Sequence, residues 1–142
     1  MAFGNSGKET ILVVDDGEAV RKMVCSMLDQ HGYKVLEAAD GVDALEIVKQ
    51  SPSAVHLVLT DIIMPQMDGA ELARRLSAVK PDLRVMFMSG YTETRAPVVK
   101  LQLRPAIFLA KPFTAGTLLD RVRAVLDMPW SGIPEITGDG ER

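Results

Sequence analysis

The feature that most constrains this chain is an alternation. Five short apolar runs, the first of them rich in β-branched residues, are separated by segments whose apolar residues recur at three- and four-residue steps. The runs are Thr10–Val14 (TILVV), Lys34–Ala38 (KVLEA), 54–60 (AVHLVLT), Leu83–Met88 (LRVMFM) and Ala106–Ala110 (AIFLA). A run with little polar alternation suits a strand buried on both faces, as in a parallel sheet covered by helices. Between the first two runs, Ala19, Val20, Met23, Val24, Met27 and Leu28 form one helical stripe, and Gly32 is free to end it in left-handed geometry. Asp40 is placed to cap a second helix with Ala44, Leu45 and Val48 inward, closed by Pro52. Asp68 and Glu71 have capping-box spacing ahead of Leu72, Leu76 and Val79, and Pro81 stops that helix. A short fourth helix is expected from near Ala96, with Pro97 in its first turn. Thr114 caps a fifth, with Leu118, Leu119, Val122, Val125 and Leu126 inward. Five β/α units joined by right-handed crossovers predict an α/β fold, a doubly wound (βα)5 three-layer sandwich with helices on both faces of a five-stranded parallel sheet; if its order is 2-1-3-4-5, the first and third strands are neighbours.

The 142 residues suffice for one domain with its own core. Residues 1–8 read as a flexible leader, 9–127 as the domain, and 128–142, rich in Gly, Pro and charge, as a flexible tail. Trp130 in that tail either docks on the domain or on a partner, or belongs to a disordered end. A net charge of −3 gives no electrostatic reason to expect binding to nucleic acid or to an anionic membrane. The single Cys25 excludes an internal disulfide and points to a reducing compartment. No apolar run approaches the roughly 20 residues of a membrane helix, and the first residues lack the pattern of a signal peptide. The expected location is therefore cytoplasmic.

In open α/β sheets the chemistry lies beyond the carboxyl ends of the strands, where the strand order reverses. Here the first run ends at Asp15 and Asp16, the third at Asp61, the fourth at Ser89 and the fifth at Lys111. With first and third strands adjacent, three carboxylates converge, and carboxylates that close need a cation or a proton to coexist. Oxygen ligands in a shallow site suit Mg²⁺. Lys111 adds positive charge and Ser89 a hydroxyl donor, an arrangement for neutralising a transferred phosphoryl group with Asp61 as nucleophile. His31 and His56 stand apart with no zinc-like spacing and read as structural, and Cys25 as an inert thiol.

The set ILVVDD, LTDIIMPQMDG, MSGY and FLAKPF resembles the receiver domains of response regulators in two-component signalling, over residues 9–127. The resemblance implies that Asp61 is the phosphoacceptor and that Asp16, Asp61 and the backbone carbonyl of Ile63 ligate Mg²⁺, with Asp15 acting mainly through metal-bound water. It further implies that Ser89 and Phe108 are switch residues, and that Lys111 contacts the phosphoryl group ahead of a cis bond to Pro112. The implied partners are a histidine kinase or histidine phosphotransfer protein as donor, and a downstream protein met through the fourth helix, fifth strand and fifth helix. The chain itself is expected to be a monomer or weak dimer that catalyses only its own phosphorylation and autodephosphorylation, without direct nucleic-acid or membrane contacts. The sequence departs from the pattern at Gly17, where many members carry an acid. Ile63 and Tyr91 lie where family members modulate water access, and their bulk is expected to slow loss of the phosphoryl group.

Three other functions fit less well. A haloacid-dehalogenase-like phosphatase needs two aspartates spaced two apart after the first strand, whereas Asp15 and Asp16 are adjacent. A flavodoxin-like carrier needs a phosphate loop there, which this acidic pair would repel. A pseudo-receiver that only binds proteins would not need the full set of Asp15, Asp16, Asp61, Ser89 and Lys111.

Overall fold

A computed structural model describes residues 9–90 and 107–130. The expected fourth helix, with Ala96 and Pro97, lies outside the described residues, as do Tyr91 and the tail beyond Trp130. Strands β1 (Thr10–Val14), β2 (Lys34–Ala38), β3 (Leu57–Asp61), β4 (Arg84–Ser89) and β5 (Phe108–Ala110) alternate with helices α1 (Glu18–Asp29), α2 (Gly41–Gln50) and α3 (Gly69–Val79), and α4 (Ala115–Asp127) closes the fold. The strands form one sheet in the order β2-β1-β3-β4-β5, every neighbouring pair parallel. This is the expected doubly wound topology.

Burial explains the composition of each strand. Ile11 to Val14 and Leu57 to Leu59 are wholly inaccessible, as central strands covered by helices on both faces require. β2 lies at the edge, with Lys34 and Leu36 exposed and Val35 and Glu37 partly covered, and Glu37 is paired there with Arg21 and Lys22. Gly32 has φ +90° and ends the turn after α1. The cap expectations for the other helices are met. Asp40 accepts from the Asp43 amide at 2.8 Å, Asp68 from Glu71 at 2.9 Å and Thr114 from Thr117 at 3.1 Å.

Several boundaries differ from the sequence expectation. The third strand starts at Leu57 rather than at position 54, because Pro52–Ala54 forms a 3₁₀ turn. His56 is held against Thr10 instead: its amide donates to the Thr10 carbonyl and its Nδ1 accepts the Thr10 amide at 3.0 Å. β3 runs on to Asp61, β4 spans 84–89 rather than 83–88, and β5 begins at Phe108. The face of α1 is also rotated from the expected stripe. Val24, Cys25 and Leu28 are buried, while Met23 is 44% exposed. The capping box at α3 is half formed, since the Glu71 carboxylate pairs with Arg74 and Arg75 on its own helix.

Long side chains tie the amino-terminal pole of the sheet together. Arg123 on α4 joins Glu9 at 2.8 Å and Asp127 at 2.9 Å. Burial pushes the Glu9 carboxyl upward, but hydrogen bonding and charge from Arg123 outweigh it and hold the group below its ordinary 4.5. Arg84, first residue of β4, donates from Nε to the Val125 carbonyl at 2.8 Å and from Nη2 to the Met128 carbonyl at 2.6 Å. It thereby serves the acceptors that the end of α4 leaves open. Beyond it, Trp130 is partly buried and packs against the domain's own core.

Candidate functional site

Because all five strands run parallel, the residues that follow them collect at one pole. β1 and β3 are neighbours in register, Val14 beside Thr60, so Asp15 and Asp61 emerge side by side. Asp15 is 2% and Asp61 5% exposed, whereas Asp16 faces solvent. One carboxylate oxygen from each of Asp15, Asp16 and Asp61 lies within 4.8 Å of the others. Lys111, arriving after β5, extends its ammonium to 3.2 Å from Asp15 and 3.4 Å from Asp61. Its backbone amide donates to the Ser89 carbonyl at 2.8 Å, and its bond to Pro112 is cis. Burial pulls the Lys111 pKa down, but the facing charges of Asp61 and Asp15 outweigh that and raise it, so this lysine is a cation at neutral pH.

Neighbouring groups hold each of these side chains. The second oxygen of Asp15 accepts the Gly17 amide at 2.8 Å. Arg21 donates to the Asp15 carbonyl at 2.9 Å while its Nε grips Glu37 at 3.0 Å, which ties the end of β1 to β2. A side chain at position 17 would meet the Asp15 carboxylate only at an ordinary 3.4 Å, so the glycine there is not required for space. Around Asp61, the Thr60 hydroxyl donates to the Asp61 carbonyl at 3.0 Å, and the Ile62 amide donates to the Met88 carbonyl at 3.0 Å. The Gly69 amide donates to the Ile62 carbonyl at 2.7 Å. Ser89 is buried, and its Oγ has no hydrogen-bond partner among the described residues. Ile63 stands 45% exposed two residues after Asp61. Phe108 is half-buried against the core, and its carbonyl accepts from Arg121 at 2.5 Å.

The donor set is suited to a hard cation. It is all oxygen, with three carboxylates set against the single ammonium of Lys111, and one of the three, Asp16, is open to solvent. The structure thus brings together all five residues singled out at strand ends. Arg21, Thr60 and Gly69, which brace them, were not foreseen. Thr60 and Gly69 both lie within LTDIIMPQMDG, whereas Arg21 belongs to none of the quoted motifs.

Parallel strands in the order 2-1-3-4-5 with an acidic pole opposed by a lysine define a class of α/β domain, and comparison with known proteins makes that class specific. The chain belongs to the response regulator receiver domain family, whose model matches residues 11–123. It is similar to CpdR, a response regulator receiver protein of Brucella abortus, at 35% identity over 82% of this chain and 95% of that protein. It is 39% identical to part of the sensor kinase CckA of the same organism, covering 86% of this chain but only 13% of the kinase. The crystal structure of the receiver domain from the hybrid histidine kinase CckA superposes with a TM-score of 0.69 at 36% identity, covering 83% of this chain and 99% of that one. Among the described residues no helix is long and apolar enough to cross a membrane.

Proposed function

We propose that this chain, over residues 9–127, is a phosphorylatable receiver in which Asp61 accepts a phosphoryl group from a phosphohistidine donor and so switches protein contacts. The observation that carries the reading is the convergence of three carboxylates within 4.8 Å, with Lys111 bonded to two of them. An Asp61 carboxylate oxygen attacks phosphorus in line, and the bond from phosphorus to the donor nitrogen breaks. Lys111, already against Asp61, follows the charge onto the phosphoryl oxygens. Ser89 holds a hydroxyl with no hydrogen-bond partner among the described residues, free to donate to a phosphoryl oxygen. Asp15, Asp16, Asp61 and the Ile63 carbonyl would hold Mg²⁺, which when bound neutralises the pocket and the incoming phosphate. Movement of Ser89 toward the phosphoryl group and of Phe108 behind it would then bias the surface around β5 and α4. The chain catalyses nothing beyond its own phosphorylation and dephosphorylation.

The donor is a histidine kinase or histidine phosphotransfer protein, and the reader is a downstream protein. Incubation with Mg²⁺ and acetyl phosphate tests the core of this reading by intact mass. A gain of one phosphoryl group that disappears in Asp61→Ala supports it, and no gain with any donor favours a protein-binding pseudo-receiver. Ile63, exposed beside the acceptor, supports slow self-dephosphorylation. A lifetime of only seconds that is unchanged in Ile63→Asn would count against that part.

A further inference from the structure

We infer that Gly69 is a positioning residue for Asp61. It lets the first turn of α3 press directly on the peptide that follows the phosphoacceptor. A Cβ placed on Gly69 would lie 2.4 Å from the Asp61 carbonyl oxygen, 3.0 Å from the Ile62 Cα and 3.3 Å from the Asp61 carbonyl carbon. All three are backbone atoms and cannot swing aside. Gly41 offers a contrast: a Cβ there would come within 2.9 Å of the Met67 sulfur and 3.2 Å of its Cβ and Cγ, all atoms of a side chain and none of them backbone. Gly69 is not needed for an unusual backbone angle, since among the described residues the glycine with positive φ is Gly32. What it supplies is space.

That space has a specific use. With no side chain between them, the Gly69 amide reaches the Ile62 carbonyl at 2.7 Å. The same short stretch is held from two other sides, by the Thr60 hydroxyl on the Asp61 carbonyl at 3.0 Å and by the Met88 carbonyl on the Ile62 amide at 3.0 Å. The Asp61–Ile62 peptide is therefore clamped by β3, β4 and α3 together. The carboxylate of Asp61 hangs from one end of this clamp, and the Ile63 carbonyl follows at the other. An alanine at 69 must restore an ordinary contact near 3.4 Å, so either α3 or the clamped peptide has to move by about 1 Å. Displacement of that size at a reacting group can cost on the order of 100-fold in rate.

The inference rests on Asp61 being the phosphoacceptor, and the test separates the two. The full chain is prepared unsubstituted and as Gly69→Ala, Gly41→Ala and Thr60→Val. Each is measured by thermal melting, by Mn²⁺ or Mg²⁺ titration, and by acetyl phosphate labelling at saturating Mg²⁺. Gly69→Ala is expected to weaken cation binding and slow labelling by about tenfold or more while still folded. Gly41→Ala is expected to lose thermal stability yet keep both values within about twofold. Thr60→Val, nearly isosteric, loosens the same clamp without touching α3. It is expected to shift both values in the direction of Gly69→Ala, and it carries the test if Gly69→Ala does not fold. Cation affinity and labelling that stay within twofold in Gly69→Ala, or that fall equally in Gly41→Ala, overturn the inference, as does an unaffected Thr60→Val. An unsubstituted chain that takes up no phosphoryl group overturns the functional reading itself. A labelled parent matched by Gly69→Ala overturns only the role of Gly69.

Discussion

Replacing Lys111 with methionine removes the ammonium that lies against the Asp15, Asp16 and Asp61 cluster while keeping most of its volume. At an effective dielectric near 20, unit charges at 3.2 and 3.4 Å attract by about 5 kcal/mol each before desolvation is counted. Desolvating the ammonium takes back much of this, and breaking a fully buried pair from one side costs about 3–5 kcal/mol. The Lys111 side chain keeps 22% of its exposure, so screening reduces the net loss to about 2–3 kcal/mol. For a chain of this size that is a fall in Tm of about 6–9 °C in EDTA. The sign with pH follows from the direction of the Lys111 shift. Its pKa is raised above an ordinary lysine's 10.5, so the stabilisation is complete at pH 7 and is lost only as pH climbs past that value. Mg²⁺ should offset more of the loss in Lys111→Met than it adds to the parent, because the ammonium no longer shares the carboxylates. A cation at 100 times its Kd stabilises by about 2.7 kcal/mol. Differential scanning fluorimetry with EDTA and with Mg²⁺ reads both effects. If Lys111→Met melts within about 2 °C of the parent in EDTA, or if Mg²⁺ raises both equally, the electrostatic reasoning is wrong.

Burial, with a further push from the charge of Glu37, raises the Cys25 thiol from 9.0 to about 11, so at pH 8 its thiolate fraction falls about 100-fold. Alkylation of the native chain should be slower than that of urea-unfolded chain by at least that factor, with a rate still climbing toward pH 11; equal rates would refute the burial argument. Asp68→Ala removes the bond to the Glu71 amide and should cost about 1 kcal/mol in urea unfolding, with Asp68→Asn recovering most of it. A neutral Asp68→Ala would show the cap to be idle. Arg84→Met deletes the bonds to the Val125 and Met128 carbonyls, for a loss of about 2–3 kcal/mol. Trp130 is the only tryptophan, so release of the 128–130 segment should appear as a red-shifted emission, and an unchanged spectrum would show that Arg84 does not hold it.

The sheet was legible in the sequence because buried parallel strands leave largely apolar runs, and the site because four of the five runs end in a polar residue unlike those before it. Where the reading slipped, local composition competed with geometry. Ala54 and Val55 look like strand residues, yet Pro52 two positions earlier commits the chain to a 3₁₀ turn. Met23 fits the helical stripe of α1 by spacing, but only contact with the sheet decides that Val24, Cys25 and Leu28 form its centre. The bracing of the site was out of reach for a different reason. Arg21 reaching the Asp15 carbonyl and Gly69 reaching Ile62 are tertiary contacts made by residue types that occur everywhere, and no spacing rule announces them.

The tethers at the amino-terminal pole have a practical consequence. Glu9, just before β1, is bonded to Arg123 near the end of α4, and Met128 is bonded to Arg84 at the start of β4. Both ends of the described chain therefore leave from the pole opposite Asp61, separated from it by a five-residue strand of about 17 Å. A fluorophore, bead or sensor surface attached at Glu9 or at Trp130 sits behind the sheet. A chain immobilised in this way presents the pole that carries Asp61 away from the support.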